Sequence, residues 1–321
     1  MSDIAPDDAT YFPSRVPRAS WFLVGPTASG KTSIGIELAK TLPAEILSLD
    51  SMALYRRLDI GTAKPTREER SSAPHHLIDI LDPHEEYSLA EYVAAARATA
   101  KEILARGRTP LFVGGTPLYL KALLRGIFVG PPADWDLRRE WEQRAAAESP
   151  DWLHAQLAEV DPVAAAKLHV NDARRIIRAL EVLAKTGQPM SVWQQQFDRS
   201  QSQGDCRVFV LDWPRAELYR RINERVQAMF AAGLVDEVQS LQASGVTLGR
   251  TASQALGYRE VVEHLAGERD LAATIEVIQN RTRAFARRQL TWFRSLKECR
   301  WIPMSAEQTP ADVAREMLNA N

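Results

Sequence analysis

The run Gly25-Pro26-Thr27-Ala28-Ser29-Gly30-Lys31-Thr32 fits the pattern G-x-x-x-x-G-K-[ST]. The glycines of such a loop let main-chain N–H groups turn inward. The first turn of a following helix adds unpaired donors and the positive end of a dipole. Lys31 would neutralise a terminal phosphate, and the Thr32 hydroxyl would hold Mg²⁺. The pattern recognises an anion the size of a diphosphate and leaves open which molecule bears it. A Gly-rich turn that binds nothing is the plain alternative. The apolar run Trp21-Phe22-Leu23-Val24 just before the loop and the helical pattern just after it weigh against that.

Ligands of a parallel sheet bind beyond the carboxyl ends of its strands. The apolar run 46–49 ends in Asp50-Ser51, and the run 110–113 ends in Gly114-Gly115-Thr116. Asp50 would lie beside the loop, able to hold Mg²⁺ or to take a proton, while Thr116 would offer a positioned hydroxyl. Each has a helix N-cap as its bland reading. The run 208–211 ends in Asp212 like a Walker B strand, yet Trp213-Pro214 follow where a second acid is usual, so a structural strand end is expected. Arginines cluster as Arg174, Arg175 and Arg178, as Arg220, Arg221 and Arg225, and as Arg281, Arg283, Arg287, Arg288 and Arg294 among Phe285, Trp292 and Phe293. Solvated helix faces explain such clusters in part. Three of them in one chain also point to a polarised surface and a folded RNA partner. The six histidines show no helical H-x-x-x-H spacing, so no transition-metal site is expected.

The elements that must position these groups follow from periodicity. Strand, helix, strand over residues 21–49 is a right-handed parallel crossover. Further strands are expected at 76–80, 110–113, 206–212 and 301–303, with a helix at 89–105 closed by Gly107. The fold class is α/β, a P-loop-type parallel sheet flanked by helices. Residues 131–204 read as an all-helical insertion holding Trp135, Trp141, Trp152 and Trp193, hinged at 130–132 and 200–204. The catalytic core is then 20–130 with 205–321, of which 217–296 is helical with breaks near Gly245 and Gly267. Residues 1–19, acidic and then Pro-rich, read as a flexible leader and not a signal peptide.

Composition bounds the rest. The 321 residues suit about two domains. Two cysteines exclude a disulfide framework or a Cys-based zinc finger and suit a reducing compartment. A net charge of −1 excludes a uniformly basic coat for nucleic acid, though not local basic faces. No run of 18 apolar residues occurs, so no membrane span is expected, and the cytoplasm is the expected location.

Taken together, the segments resemble the bacterial tRNA dimethylallyltransferases, also called tRNA isopentenyltransferases, over residues 21–302. The resemblance rests on 25–32, on Leu49-Asp50-Ser51, on Tyr55-Arg56 and on Leu58-Asp59-Ile60-Gly61-Thr62-Ala63-Lys64-Pro65. It continues through Pro74-His75-His76-Leu77, Val113-Gly114-Gly115-Thr116-Pro117-Leu118-Tyr119, Asp161-Pro162 and Asn171-Asp172. It ends with Ala179-Leu180-Glu181, Gln254-Ala255-Leu256-Gly257-Tyr258-Arg259 and the stretch 282–292 with its Arg-Arg-Gln. It implies transfer of a dimethylallyl group from dimethylallyl diphosphate to N6 of the adenosine 3′ of the anticodon, position 37, with release of diphosphate. Asp50 matches the family's base, Arg221 a diphosphate-contacting arginine, and Thr116 a residue lining the channel where donor and base meet. Lys31 and the rest of the loop would then hold a diphosphate with Mg²⁺ at Thr32.

Family contacts to the tRNA anticodon stem-loop carry over to Asp50, Ser51, Met52, Ala53 and Thr116, and to Arg138. They also carry over to Arg174, Arg175, Ile176, Ile177 and Arg178, and to Gln254, Ala255, Leu256, Gly257, Tyr258 and Arg259. Many members have Gln where this chain has Ala53, and the eukaryotic zinc finger is absent. A monomer is expected. The main alternative is a P-loop small-molecule kinase that binds ATP and Mg²⁺, with Asp50 as base and Arg220 and Arg221 as lid arginines. A prenyltransferase acting on free AMP or ADP and a nucleotide-switched RNA-binding protein are the others. An Arg-rich insertion is of little use to a kinase or to an enzyme of free AMP or ADP, and the weak Walker B signal at Asp212 counts against the nucleotide switch.

Overall fold

The computed structural model describes residues 11–12, 19–128, 130–193 and 207–320. Most of the expected leader, the expected hinge at 200–204 and Cys206 lie outside them. The strands are β1 (Tyr11–Phe12), β2 (Trp21–Val24), β3 (Ala44–Ser48), β4 (His75–His76), β5 (Thr109–Gly114), β6 (Ile127–Phe128), β7 (Arg207–Asp212) and β8 (Cys299–Pro303). The chain divides into two compact units, 1–14 with 125–202 and 15–124 with 203–321.

The larger unit is built on a six-stranded sheet in the order β4-β3-β5-β2-β7-β8, with every pairing parallel. All residues of β2 and β3 are buried, as is Val208-Phe209-Val210-Leu211 of β7. A parallel strand covered on both faces has no solvent side, which is why these runs are apolar throughout and not alternating. β2 pairs with β5 from Trp21↔Leu111 to Val24↔Gly114 and with β7 from Trp21↔Arg207 to Val24↔Val210. That register brings the residues just after β2, β3 and β5 to one end of the sheet. Gly114 is flush against the Leu49 carbonyl, where a Cβ would sit 2.2 Å from its oxygen, so no other residue fits.

Helices cover the faces. Leu89–Ala105 starts with a Ser88/Glu91 capping box, buries Tyr92, Val93, Ala96, Ala100 and Ile103, and is followed by Gly107 at φ 72°. The strand expected at 76–80 is only His75–His76, a correction with a local cause. Leu77 and Asp79 have φ of 59° and 56°. The Asp79 carboxylate is drawn to Lys64 and Arg70 at 2.6 Å each. The N–H groups of Asp79 and Ile80 donate to the carbonyls of Ala53 and Leu54, so the chain pairs with a loop and leaves the sheet.

The smaller unit packs Trp135–Ala147, Trp152–Val160, Pro162–Ala165 and Ala173–Thr186 around Leu153, Leu157, Ala164, Ile176, Ile177 and Leu180. Between residues 131 and 193 its described elements are helical. The unit also takes in β1 and β6, an antiparallel pair of apolar and aromatic residues. Tyr11–Phe12 therefore form a strand where a flexible leader is expected, because Ile127–Phe128 offer them a partner. Trp141 and Trp152 pack on this core with ring centroids 5.8 Å apart, while Trp135 is exposed.

Candidate active site

Residues 25–32 leave the end of β2 and run into the helix Lys31–Thr41. That helix starts at Gly30, in the left-handed region at φ 88°, and no side chain caps it, so its first N–H groups stay available to an anion. Ala28 also sits at positive φ, 62°, a conformation that costs about 1–3 kcal/mol in a residue with a Cβ. Neighbours hold it there. Arg221 Nε donates to the Ala28 carbonyl at 3.0 Å, and the Trp213 indole N–H donates to the Ser29 carbonyl at 2.9 Å. The Arg221 guanidinium lies over the Trp213 ring, 4.4 Å from its centroid. Gln289, buried, accepts from the Thr27 N–H at 2.9 Å and donates to the Gly115 carbonyl at 2.6 Å. One amide thereby ties this loop to the turn after β5.

A cavity of about 540 Å³ opens on this loop. Thr27, Ser29, Gly30, Lys31 and Thr32 line it, with Asp50, Ser51, Met52 and Ala53 after β3, Gly114 at the end of β5 and Gly115 just beyond it, and Arg225, Phe285, Arg288 and Gln289 from two helices. Further walls come from residues 61–65 and 254–257. Lys31 Nζ donates to the Pro26 carbonyl at 2.7 Å. Burial, helped by Arg225 and opposed by Asp50, pulls Lys31 down to about 7. Burial also lowers Arg225, with Asp50 pulling the other way. Lys31, Arg221 and Arg225 thus gather at the loop with Asp50 as the nearby carboxylate, a field that favours an anion carrying more than one charge.

Asp50 accepts the Met52 N–H at 2.9 Å, which fixes the carboxylate within its own turn. Thr116 Oγ1 accepts the Ser51 N–H at 3.2 Å, and the Thr116 N–H donates to the Leu49 carbonyl at 3.1 Å. The ends of β3 and β5 therefore hold Asp50 and Thr116 together. Gly25, Pro26, Ala28, Thr116 and Arg221 do not line the cavity.

The residues expected to meet RNA separate into groups. Gln254, Ala255, Leu256 and Gly257 line the cavity. Tyr258 is buried, with its hydroxyl on Glu237, and Arg259 is exposed and paired with Glu263. In the smaller unit Arg174 and Arg175 are exposed, whereas Ile176 and Ile177 are core. Arg138 and Arg178 both bind the buried Glu181, and Arg178 also donates to the Pro131 carbonyl. Arg220 is exposed and held by Glu217 and Glu224 of its own helix, unlike Arg221. Asp212 ends β7, and its carbonyl accepts from the Met304 N–H.

Sequence reasoning missed Arg225, Gln289 and Trp213 as site residues. Arg225 had a signal, since it lies four residues after Arg221 on one helical face. A lone Gln or Trp carries none. No helix among the described residues is long and apolar enough to cross a membrane, and no group of three or more His, Cys, Asp or Glu could hold a metal among them.

A family model described as IPP transferase matches residues 53–296, and one described as isopentenyl transferase matches 19–79. A Trichlorobacter lovleyi protein named tRNA dimethylallyltransferase 1 is 48% identical over 280 residues, covering 87% of this chain and 92% of that one. The crystal structure of tRNA isopentenylpyrophosphate transferase from Bacillus halodurans is similar at TM-score 0.69 and 38% identity, over 95% of this chain and 96% of that one. A eukaryotic dimethylallyltransferase captured acting on tRNA is similar at TM-score 0.76 and 26% identity, over 93% and 77%. By these matches the chain belongs to the IPP transferase family, the tRNA dimethylallyltransferases.

Proposed function

We propose that this protein transfers a dimethylallyl group from dimethylallyl diphosphate to N6 of the adenosine 3′ of the anticodon in tRNA. The observation that carries this reading is the pairing within one cavity of a cationic, N–H-rich loop with a fixed carboxylate, Asp50. The loop and its three cations suit the diphosphate. The carboxylate suits a nucleophile that must lose a proton.

An adenine N6 is a weak nucleophile because its lone pair is delocalised into the ring. As N6 attacks the first carbon of the dimethylallyl group, the carbon–oxygen bond breaks and its electron pair leaves on the diphosphate. Asp50 takes the N6 proton, a contribution of about 10²–10⁴-fold. Lys31, Arg225 and the N–H groups of the loop meet the charge growing on the leaving diphosphate, donors fixed before the reaction and so needing no reorganisation. Arg221 acts on the same group by holding the Ala28 carbonyl and adding its charge. Thr116 keeps Asp50 and its turn in register. The target base must leave its stack to reach the cavity, at a cost of a few kcal/mol.

The Thr32 hydroxyl, on the first turn of its helix and on the cavity wall, is a hard oxygen donor of the kind Mg²⁺ takes. Together with diphosphate oxygens it would hold that ion, which would add charge neutralisation. Arg174 and Arg175 supply exposed charge for the tRNA backbone. The reading implies a cytoplasmic enzyme that works as a monomer. It is tested by following diphosphate release with purified protein, Mg²⁺, dimethylallyl diphosphate and an unmodified anticodon stem-loop. Release is expected only when donor and RNA are both present. Phosphate transfer from ATP to a small acceptor, with no reaction of the prenyl donor, would overturn it in favour of a kinase.

A further inference from the structure

Four donors converge on the carboxylate of Glu237, in the helix Leu234–Ala243. The N–H groups of Asp59 and Ile60 donate to Oε2 at 3.0 and 2.8 Å, and that of Gly61 donates to Oε1 at 3.2 Å. The Tyr258 hydroxyl donates to Oε1 at 2.6 Å. Three consecutive main-chain N–H groups aimed at one carboxylate make an anion nest filled by the protein's own side chain. The Tyr258 ring closes the arrangement, because a Cβ on Gly61 would lie 2.4 Å from it. What Glu237 joins is specific. Residues 61–65 form one wall of the active-site cavity, and 254–257, which run directly into Tyr258, form another. Lys64, its side chain 2% exposed, locks the far end of the first wall onto Asp59 and Asp79.

We propose that Glu237 is a positioning residue that fixes two walls of the active-site cavity relative to each other, through the N–H groups of residues 59–61 and the hydroxyl of Tyr258. It touches no reacting atom. The proposal rests on the prenyl-transfer reading only for its kinetic assay.

The decisive variant is Glu237→Gln, whose amide turns its own N–H donors toward donors. Amide hydrogen exchange reads the effect without any activity. Exchange at Asp59, Ile60 and Gly61 should quicken about 10-fold or more while that of Trp21–Val24 stays put. Turnover per folded molecule at saturating substrates should fall about 10-fold, since displaced walls spoil alignment. Should this variant not fold, Tyr258→Phe removes one donor of four and should quicken exchange at Gly61, which shares Oε1 with that hydroxyl. Unchanged exchange at residues 59–61, or equal quickening in Trp21–Val24, overturns the proposal. Normal turnover per folded molecule does so too. A wild-type protein that fails to turn over prenyl donor and tRNA would strike the functional reading instead, and the exchange result would still decide the role of Glu237.

Discussion

Gln289→Met removes the amide that bridges the phosphate-binding loop and the turn after β5 while keeping the side chain's length. Two hydrogen bonds go, from the Thr27 N–H and to the Gly115 carbonyl, at 2.9 and 2.6 Å. Gly115 is buried, so its carbonyl loses its partner where water does not readily replace it. At about 1 kcal/mol for each bond the loss is about 2 kcal/mol, a factor of about 30 in any equilibrium that needs the native loop. Gln289 is remote in sequence from both partners, and the nearest of its neighbours to the chemistry is the loop itself. The penalty should therefore appear in anion affinity. Calorimetric titration with inorganic pyrophosphate and Mg²⁺ should show binding weakened by about 30-fold, with a separate melting scan to show that the protein is folded. Pyrophosphate affinity within about twofold of wild type in a variant with a lowered Tm would refute the reasoning. Gln289 would then support the core and not the loop.

Four further outcomes follow from the same geometry. Asp50→Ala should keep tRNA binding, measured by filter retention, and lose turnover by about 10²–10⁴-fold; unimpaired turnover would remove Asp50 as the base. Arg174→Glu with Arg175→Glu should weaken tRNA binding and flatten its salt dependence by somewhat under one unit per lost phosphate contact. Arg178→Glu should instead destabilise the smaller unit, by about 3 kcal/mol or more on chemical denaturation, because it sets a second carboxylate against the buried Glu181. The buried Glu45 is held below its ordinary 4.5 chiefly by its hydrogen bonds from Arg106, with His76 adding and burial opposing. A carboxylate lowered in the folded state stabilises above its unfolded value and loses that contribution as the pH falls below 4.5 through the folded value. Glu45→Gln should flatten the fall of Tm with acid in that range, and an unchanged acid profile would count against the pairing.

The central strands were legible because a parallel strand buried on both faces writes itself as an unbroken apolar run. The loop at 25–32 was legible because main-chain recognition of an anion demands glycine and lysine at fixed spacing. Asp50 and Thr116 followed from where strands end. Less visible were elements fixed by distant partners. His75–His76 is a stub since the next residues answer to Lys64, Arg70 and the carbonyls of Ala53 and Leu54. Tyr11–Phe12 become a strand only because Ile127–Phe128 complete it. Charge type also misled where tertiary context decided it. Arg138 and Arg178 look like Arg174 in sequence, yet a single buried carboxylate claims both. Gln289 and Glu237 work through main-chain partners more than 170 residues away, and no local pattern marks such a bond.

The most direct test of the account is nucleoside mass spectrometry of unmodified tRNA after incubation with purified protein, Mg²⁺ and dimethylallyl diphosphate. It predicts a dimethylallyl adenosine that maps to the position 3′ of the anticodon and is absent from tRNA treated with Asp50→Ala protein. Unmodified adenosine at that position, or a prenyl group on free AMP and none on tRNA, would contradict it.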